Sequence, residues 1–181
     1  MFESSRSILR KVATESSGAE IAEAAAVLPL MFMILLGIFW FGQAFSIYGT
    51  ITRAAQDGAR AGAAPCCATC SAGTNSQNQN AFNAVQASMA AAKLDPAKAR
   101  YPSPAPALNA CSSNTTSIGC DTNISNVCVQ SPVQFTTTSS GGVCGVSVSF
   151  QYPFQFWLPF TALNKQKIWL RASAHARMEN Q

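Results

Sequence analysis

The dominant feature of the hydrophobic pattern is one long apolar run near the start of the chain. No Asp, Glu, Lys, Arg or His occurs between Glu23 and Arg53, and most residues there are aliphatic or aromatic. About 20 such residues are enough to cross a bilayer core as a helix, so the run predicts a membrane span. Leu30 to Phe41 is apolar on every face, as lipid or a tightly packed bundle demands. Pro29 predicts a bend near Leu28, which membrane helices tolerate when neighbouring groups satisfy the freed backbone. Gln43, Ser46, Tyr48 and Thr50 mark the outer interface. From Thr50 to Ala64 the chain remains helix-compatible, with Ala54, Gly58, Ala61 and Gly62 small at helical spacing and Arg53, Gln56, Asp57 and Arg60 polar between them. A single helix of about 40 residues therefore outlasts the membrane and stops at Gly62 and Pro65.

Beyond that point the periods shorten. Residues 66–80 are polar and aperiodic and predict a loop. Phe82, Val85, Met89 and Ala92 recur at helical intervals, so Ala81 to Leu94 predicts a second helix, closed by Asp95-Pro96. Three prolines between Tyr101 and Pro106 predict an extended connection. Val127, Val129, Val133 and Phe135 give an alternation broken at Pro132, Val143 to Phe150 alternates cleanly, and Ile168 to Met178 alternates through Leu170, Ala172, Ala174 and Ala176. Gly141-Gly142 predicts a hairpin turn between the first two strands, and the proline-broken Tyr152 to Phe160 predicts a loop and a candidate contact surface around Trp157. The expected fold is α+β: a long N-terminal transmembrane helix extending into a small head with one further helix and a roughly three-stranded antiparallel sheet. The expected division is a leader over 1–18, the membrane and assembly helix over 19–64, and the head over 65–181.

Composition adds an orientation. Charged residues are only 11% of the 181, and the net charge of +4 is spread along the chain. No dense Lys/Arg stripe is available to neutralise a run of phosphates, which argues against nucleic acid as a partner. All seven cysteines (Cys66, Cys67, Cys70, Cys111, Cys120, Cys128 and Cys144) follow the span, in a segment rich in Ser, Thr, Asn and Gly. Disulfides persist outside reducing compartments, so they place the head outside the cytoplasm and supply stability that a three-stranded sheet lacks by itself. The odd count leaves one thiol to remain free or to pair between chains, and the connectivity stays open. Arg6, Arg10 and Lys11 precede the span and hold the N-terminus in the cytoplasm, against a smaller opposing bias from Arg53 and Arg60.

The segment Gly18-Ala19-Glu20-Ile21-Ala22-Glu23 follows a short basic leader and opens the apolar helix. It resembles the processing site of prepilin-like proteins, where a membrane peptidase cuts after the glycine. The resemblance implies a prepilin peptidase as a partner and Ala19 as the mature N-terminus. A carboxylate at the membrane edge is costly unless neutralised, and the α-amino group of a neighbouring helix would neutralise Glu23. An uncleaved signal anchor is the alternative. Three further runs, Ala26-Val27-Leu28-Pro29-Leu30, Leu36-Gly37-Ile38-Phe39-Trp40-Phe41-Gly42-Gln43-Ala44 and Thr52-Arg53-Ala54-Ala55-Gln56-Asp57-Gly58-Ala59-Arg60, resemble the TadE-like family of Tad/Flp (tight adherence) pilus proteins. The ending Leu170 to Glu179 is also similar, whereas Ala24 stands where processed members carry an aromatic. The resemblance implies a minor pilin-like, or pseudopilin, subunit that initiates, stabilises or modulates filament assembly in contact with other pilins and pilus assembly proteins. Glu23, Pro29, Gly37, Gly42, Gly58 and Gly62 are the candidate helix-assembly residues, and Gly58 with Gly62 makes a GxxxG pair suited to homo- or hetero-oligomeric helix contact.

Enzymatic chemistry finds little support. His175 has no companion motif, Cys67-x-x-Cys70 lacks the second pair expected of a zinc site, and it sits in the wrong context for a thioredoxin-like centre. No cofactor or metal is expected. The rival from another class is a secreted or signal-anchored binding domain unrelated to pili, cleaved at Ala44-Phe45-Ser46 to start at Ile47.

Overall fold

The computed structural model describes residues 16–64, 74–111, 117–136, 143–155 and 167–178. It has the expected α+β composition: a long apolar N-terminal helix, one further helix and a three-stranded antiparallel sheet. Helix α1, Ser16–Ala63, begins slightly before Gly18 and continues through Pro29. Its residues divide between two compact units, one ending at Gln43 and the other running Ala44–Gln181. The second unit, which contains the head, takes in the C-terminal part of α1.

Helix α2 spans Thr74–Ala91, so it starts well before Ala81 and takes up part of the stretch expected to be a loop. Its polar first turns are held by tertiary contacts that local periodicity does not reveal. The buried Asn78 donates from Nδ2 to Asp121 Oδ2 at 2.8 Å, across 43 residues of sequence. Further along, Ala81, Val85 and Met89 recur every four residues and are fully buried, while Ala92, expected on this face, is exposed. A 3-10 turn, Pro96–Lys98, follows, with Asp95 Oδ1 accepting from Ala97 N–H at 3.0 Å.

Strands β3 (Cys128–Thr136), β4 (Val143–Gln155) and β5 (Lys167–Arg177) form an antiparallel sheet in sequence order. The β3–β4 register shifts between Gln130 and Val133, across Pro132, where the sequence broke its alternation. Strand β4 runs on through Tyr152-Pro153-Phe154 to Gln155, which corrects the expected loop at its start. Pro153 is tolerated because β3 begins opposite Ser149, so that flank of β4 has become an edge needing no donor. The Gly141-Gly142 turn and the segment around Trp157 lie outside the described residues.

One sheet face carries Val129, Val146, Val148, Phe150, Ala172 and Ala174 into the core, matched across strands as Val129↔Val148, Val148↔Ala174 and Phe150↔Ala172. Ile51, Ala54, Ala55 and Ala59 of α1 and the buried stripe of α2 complete that core. Cross-strand partners Gln130 and Ser147 occupy the opposite face and are buried too. Two short paired strands, β1 (Leu108–Asn109) and β2 (Ser117–Ile118), pack against β3. Gln130 Nε2 donates to Pro106 O at 3.0 Å and to Ile118 O at 2.6 Å, tying this layer down.

The loop before β3 is held by Asp121. Its Oδ1 accepts from Asn123 N–H at 2.9 Å and its Oδ2 from Asn78, and these bonds, the Asn123 N–H foremost, hold the carboxyl below the usual carboxylate range. Tyr101 donates from its hydroxyl to Ile124 O, and burial, reinforced by the Asp121 charge, pushes its phenol up.

Candidate functional site

The N-terminal part of α1 presents large apolar side chains with nothing over them. Ile21 is 71% exposed, Met33 77% and Phe45 72%, and the residues between are similar in kind. Each buried aliphatic or aromatic side chain of this size is worth about 1.5–3 kcal/mol relative to exposure in water, so a face of this extent in an aqueous setting is untenable. Among the described residues α1 is the one helix long and apolar enough to cross a membrane. Gly18 and Ala19 lie in its first turn, and Glu23 stands exposed one turn further on. At Gly37 and Gly42 an added Cβ would meet no atom within 4 Å, so both leave open, shallow surface for a neighbouring helix.

Gly58 and Gly62 have a different setting. Both are buried in the head, and a Cβ on Gly58 would collide with Val85 of α2 and come within 3.0 Å of the Ala81 carbonyl. One on Gly62 would lie 3.0 Å from Ala81 Cβ and 3.1 Å from Val146 Cγ1. The GxxxG pair does permit close helix approach, but the helix it admits is α2 of the same chain. Within this head it is occupied, whereas Gly37 and Gly42 have no such neighbour among the described residues. On the solvent side of the same contact, Ser88 Oγ donates to Asp57 Oδ2 at 2.5 Å, a tie between α1 and α2 that no sequence motif announces.

Among the described residues, all four cysteines pair. Cys111 bonds to Cys144 and Cys120 to Cys128, closing sequence separations of 33 and 8 residues. Both bonds anchor the β1–β2 layer and the Asp121 loop to the sheet, and each is worth about 2–4 kcal/mol. Cys66, Cys67 and Cys70 lie outside the described residues.

A second feature of the head is a cleft of about 370 Å³ lined by Ala97, Lys98, Arg100, Pro153, Gln155, Lys167 and Trp169. Its walls come from two stretches far apart in sequence, so no local pattern reveals it.

No curated protein and no solved structure matches the chain. A family model does match, and it covers α1 from its first turn to Arg60: over residues 18–60 this chain is similar to the family described as TadE-like protein.

Proposed function

We propose that this chain is a minor pilin-like (pseudopilin) subunit of a Tad-type pilus, without catalytic activity, that initiates, stabilises or modulates filament assembly through α1. The observation that carries the reading is the coincidence of the TadE-like match with a helix whose N-terminal part is apolar on all sides and uncovered. Such a helix is housed either in lipid or among like helices, and a pilus subunit passes from the first to the second. The head stays outside the cytoplasm, where its two disulfides persist. Processing after Gly18 frees the Ala19 amine, which pairs with Glu23 of a neighbouring subunit and offsets the cost of that carboxylate in an apolar setting.

Two measurements test this. Intact mass and N-terminal sequencing of the mature chain should give a start at Ala19. A photocrosslinker at Gly37 or Gly42 should recover other pilins. A mature chain starting at Met1 together with an absence of helix partners would overturn the proposal.

The secreted reading is favoured by one observation: buried residues of α1 begin at Ile51, so a product starting at Ile47 keeps every one of them. Fractionation separates the two. A pilus subunit remains with the membrane or filament, whereas the secreted domain appears as a soluble extracytoplasmic species beginning at Ile47.

A further inference from the structure

The cleft lies at the Gln155/Lys167 end of the β4–β5 pair and is built from two separate stretches of chain. Its floor comes from two cross-strand pairs, Pro153↔Trp169 and Gln155↔Lys167, all four on the sheet face turned away from the helices. Its wall is the strand-like segment after the 3-10 turn. There the buried Ala99 is an anchor, and Lys98 and Arg100 on either side of it both line the cleft. The backbone of Arg100 is fixed by a reciprocal pair with Gln151, N–H to O at 2.9 and 2.8 Å. Its guanidinium lies 5.2 Å from the centre of the Trp169 ring, a cation–π contact that orients the side chain while leaving N–H donors to spare.

Three cations therefore line one concave surface. None of the head's described carboxylates lines the cleft: Asp57 accepts from Ser88, Asp121 from Asn78 and Asn123, and Asp95 from the Ala97 N–H. The residues joining Gln155 to Lys167, 156–166, include no Asp or Glu. With no carboxylate among the lining residues, the converging positive charges disfavour one another, and a bound anion relieves this.

We propose that this cleft binds a phosphoryl group carried on a small polyol or sugar. The charge count favours phosphoryl over carboxylate. A phosphate monoester brings about −1.5 to −2 charge and three strong acceptor oxygens to three separate cationic donors, where a carboxylate brings one charge and two oxygens. The volume sets the size of the rest. At about 370 Å³ the cleft is near the lower end of small-molecule sites, roughly 300–1,000 Å³, which suits a glycerol- or hexose-sized unit against the exposed part of Trp169. The same monoester chemistry occurs in a free phosphoester and in the headgroup of phosphatidic acid.

The test uses the full chain in phosphatidylcholine nanodiscs, titrated calorimetrically with glycerol phosphate. Saturable binding is expected, weakened at least about tenfold in the Lys98→Gln/Lys167→Gln double variant, which removes two charges without touching the core. Near-UV circular dichroism confirms that the variant head is folded. Repeating the titration with phosphatidic acid in the discs assigns the source. Suppressed binding of glycerol phosphate identifies the lipid headgroup, and unchanged binding identifies a free phosphoester. Absence of saturable binding, or binding that the double variant leaves unchanged, overturns the proposal.

Discussion

From Ile21 to Phe45, α1 leaves large apolar side chains exposed among the described residues; from Ile51 to Ala63 the same helix buries a stripe made almost wholly of alanine and glycine. Both parts are apolar and helical, and hydrophobicity alone would rank the first as the better core. The difference lies in side-chain volume. Small residues let α2 and β4 come close enough for Val85, Ala81 and Val146 to reach the α1 backbone at Gly58 and Gly62. Bulky ones keep a neighbour at the distance of an ordinary helix pair and are suited to lipid tails or to other subunits. A helix can thus serve its own domain at one end and an assembly at the other through a change in residue size, without any change in backbone.

The sharpest way to break this comparison is to shave equal side chains from the two parts. Ile51→Ala should cost the head about 2–5 kcal/mol, because Ile51 is fully buried, whereas Ile38→Ala should leave head stability within about 0.5 kcal/mol. Thermal melts of the head in detergent, followed by near-UV circular dichroism, report both. Equal effects at the two sites would erase the distinction.

Reduction comes next. Breaking Cys111–Cys144 alone, by Cys111→Ser/Cys144→Ser, should destabilise the head by about 2–4 kcal/mol, and breaking Cys120–Cys128 by less, since the first closes the longer loop. Far-UV signal from the exposed part of α1 should survive a head melted in this way, because that part takes no stability from the disulfides.

A glycine pair gives a smaller contrast with opposite signs. Gly58→Ala forces a methyl against Val85 and should destabilise the head by about 1–3 kcal/mol. Gly42→Ala meets open space and should strengthen the helix by about 0.5–1 kcal/mol while reducing crosslinking to other helices. Urea melts of the two variants settle the signs.

The mildest effect is on pH. The Asp121 carboxyl is held low in the folded head, so the unfolded chain takes up a proton first as the solution is acidified. The stabilisation from Asp121 is therefore complete above the ordinary carboxylate pKa of about 4 and is lost as pH falls through the lower folded value. The melting temperature of the parent should fall more steeply than that of Asp121→Asn between about pH 5 and pH 2. Parallel curves would remove Asp121 as the cause.

The long helix, expected over 19–64 and found over 16–63, the buried Val85 and Met89 of α2, the alternation of β5 and the break at Pro132 were readable in the sequence, whereas Ala81 took the place expected of Ala92 in the buried stripe. Each is a local repeat with the period of its element, and such repeats are written in consecutive residues. What escaped depends on partners distant in sequence. The early start of α2 rests on Asn78 meeting Asp121, and the run of β4 through Pro153 rests on β3 having already ended. The pairings of the four described cysteines emerge only once β1, β2 and the sheet are assembled.

The same division holds for function. The sequence by itself determined that the chain has an apolar helix of membrane length, with a TadE-like pattern over it, because length and uninterrupted hydrophobicity are properties of a contiguous segment. Only the tertiary structure decided which glycines remain open to partners and which are filled by the chain's own α2, and only it brought Lys98 and Arg100 to the same cleft as Lys167 and Trp169. Steric occupancy and converging charge are relations between segments, and they come into being when the segments pack.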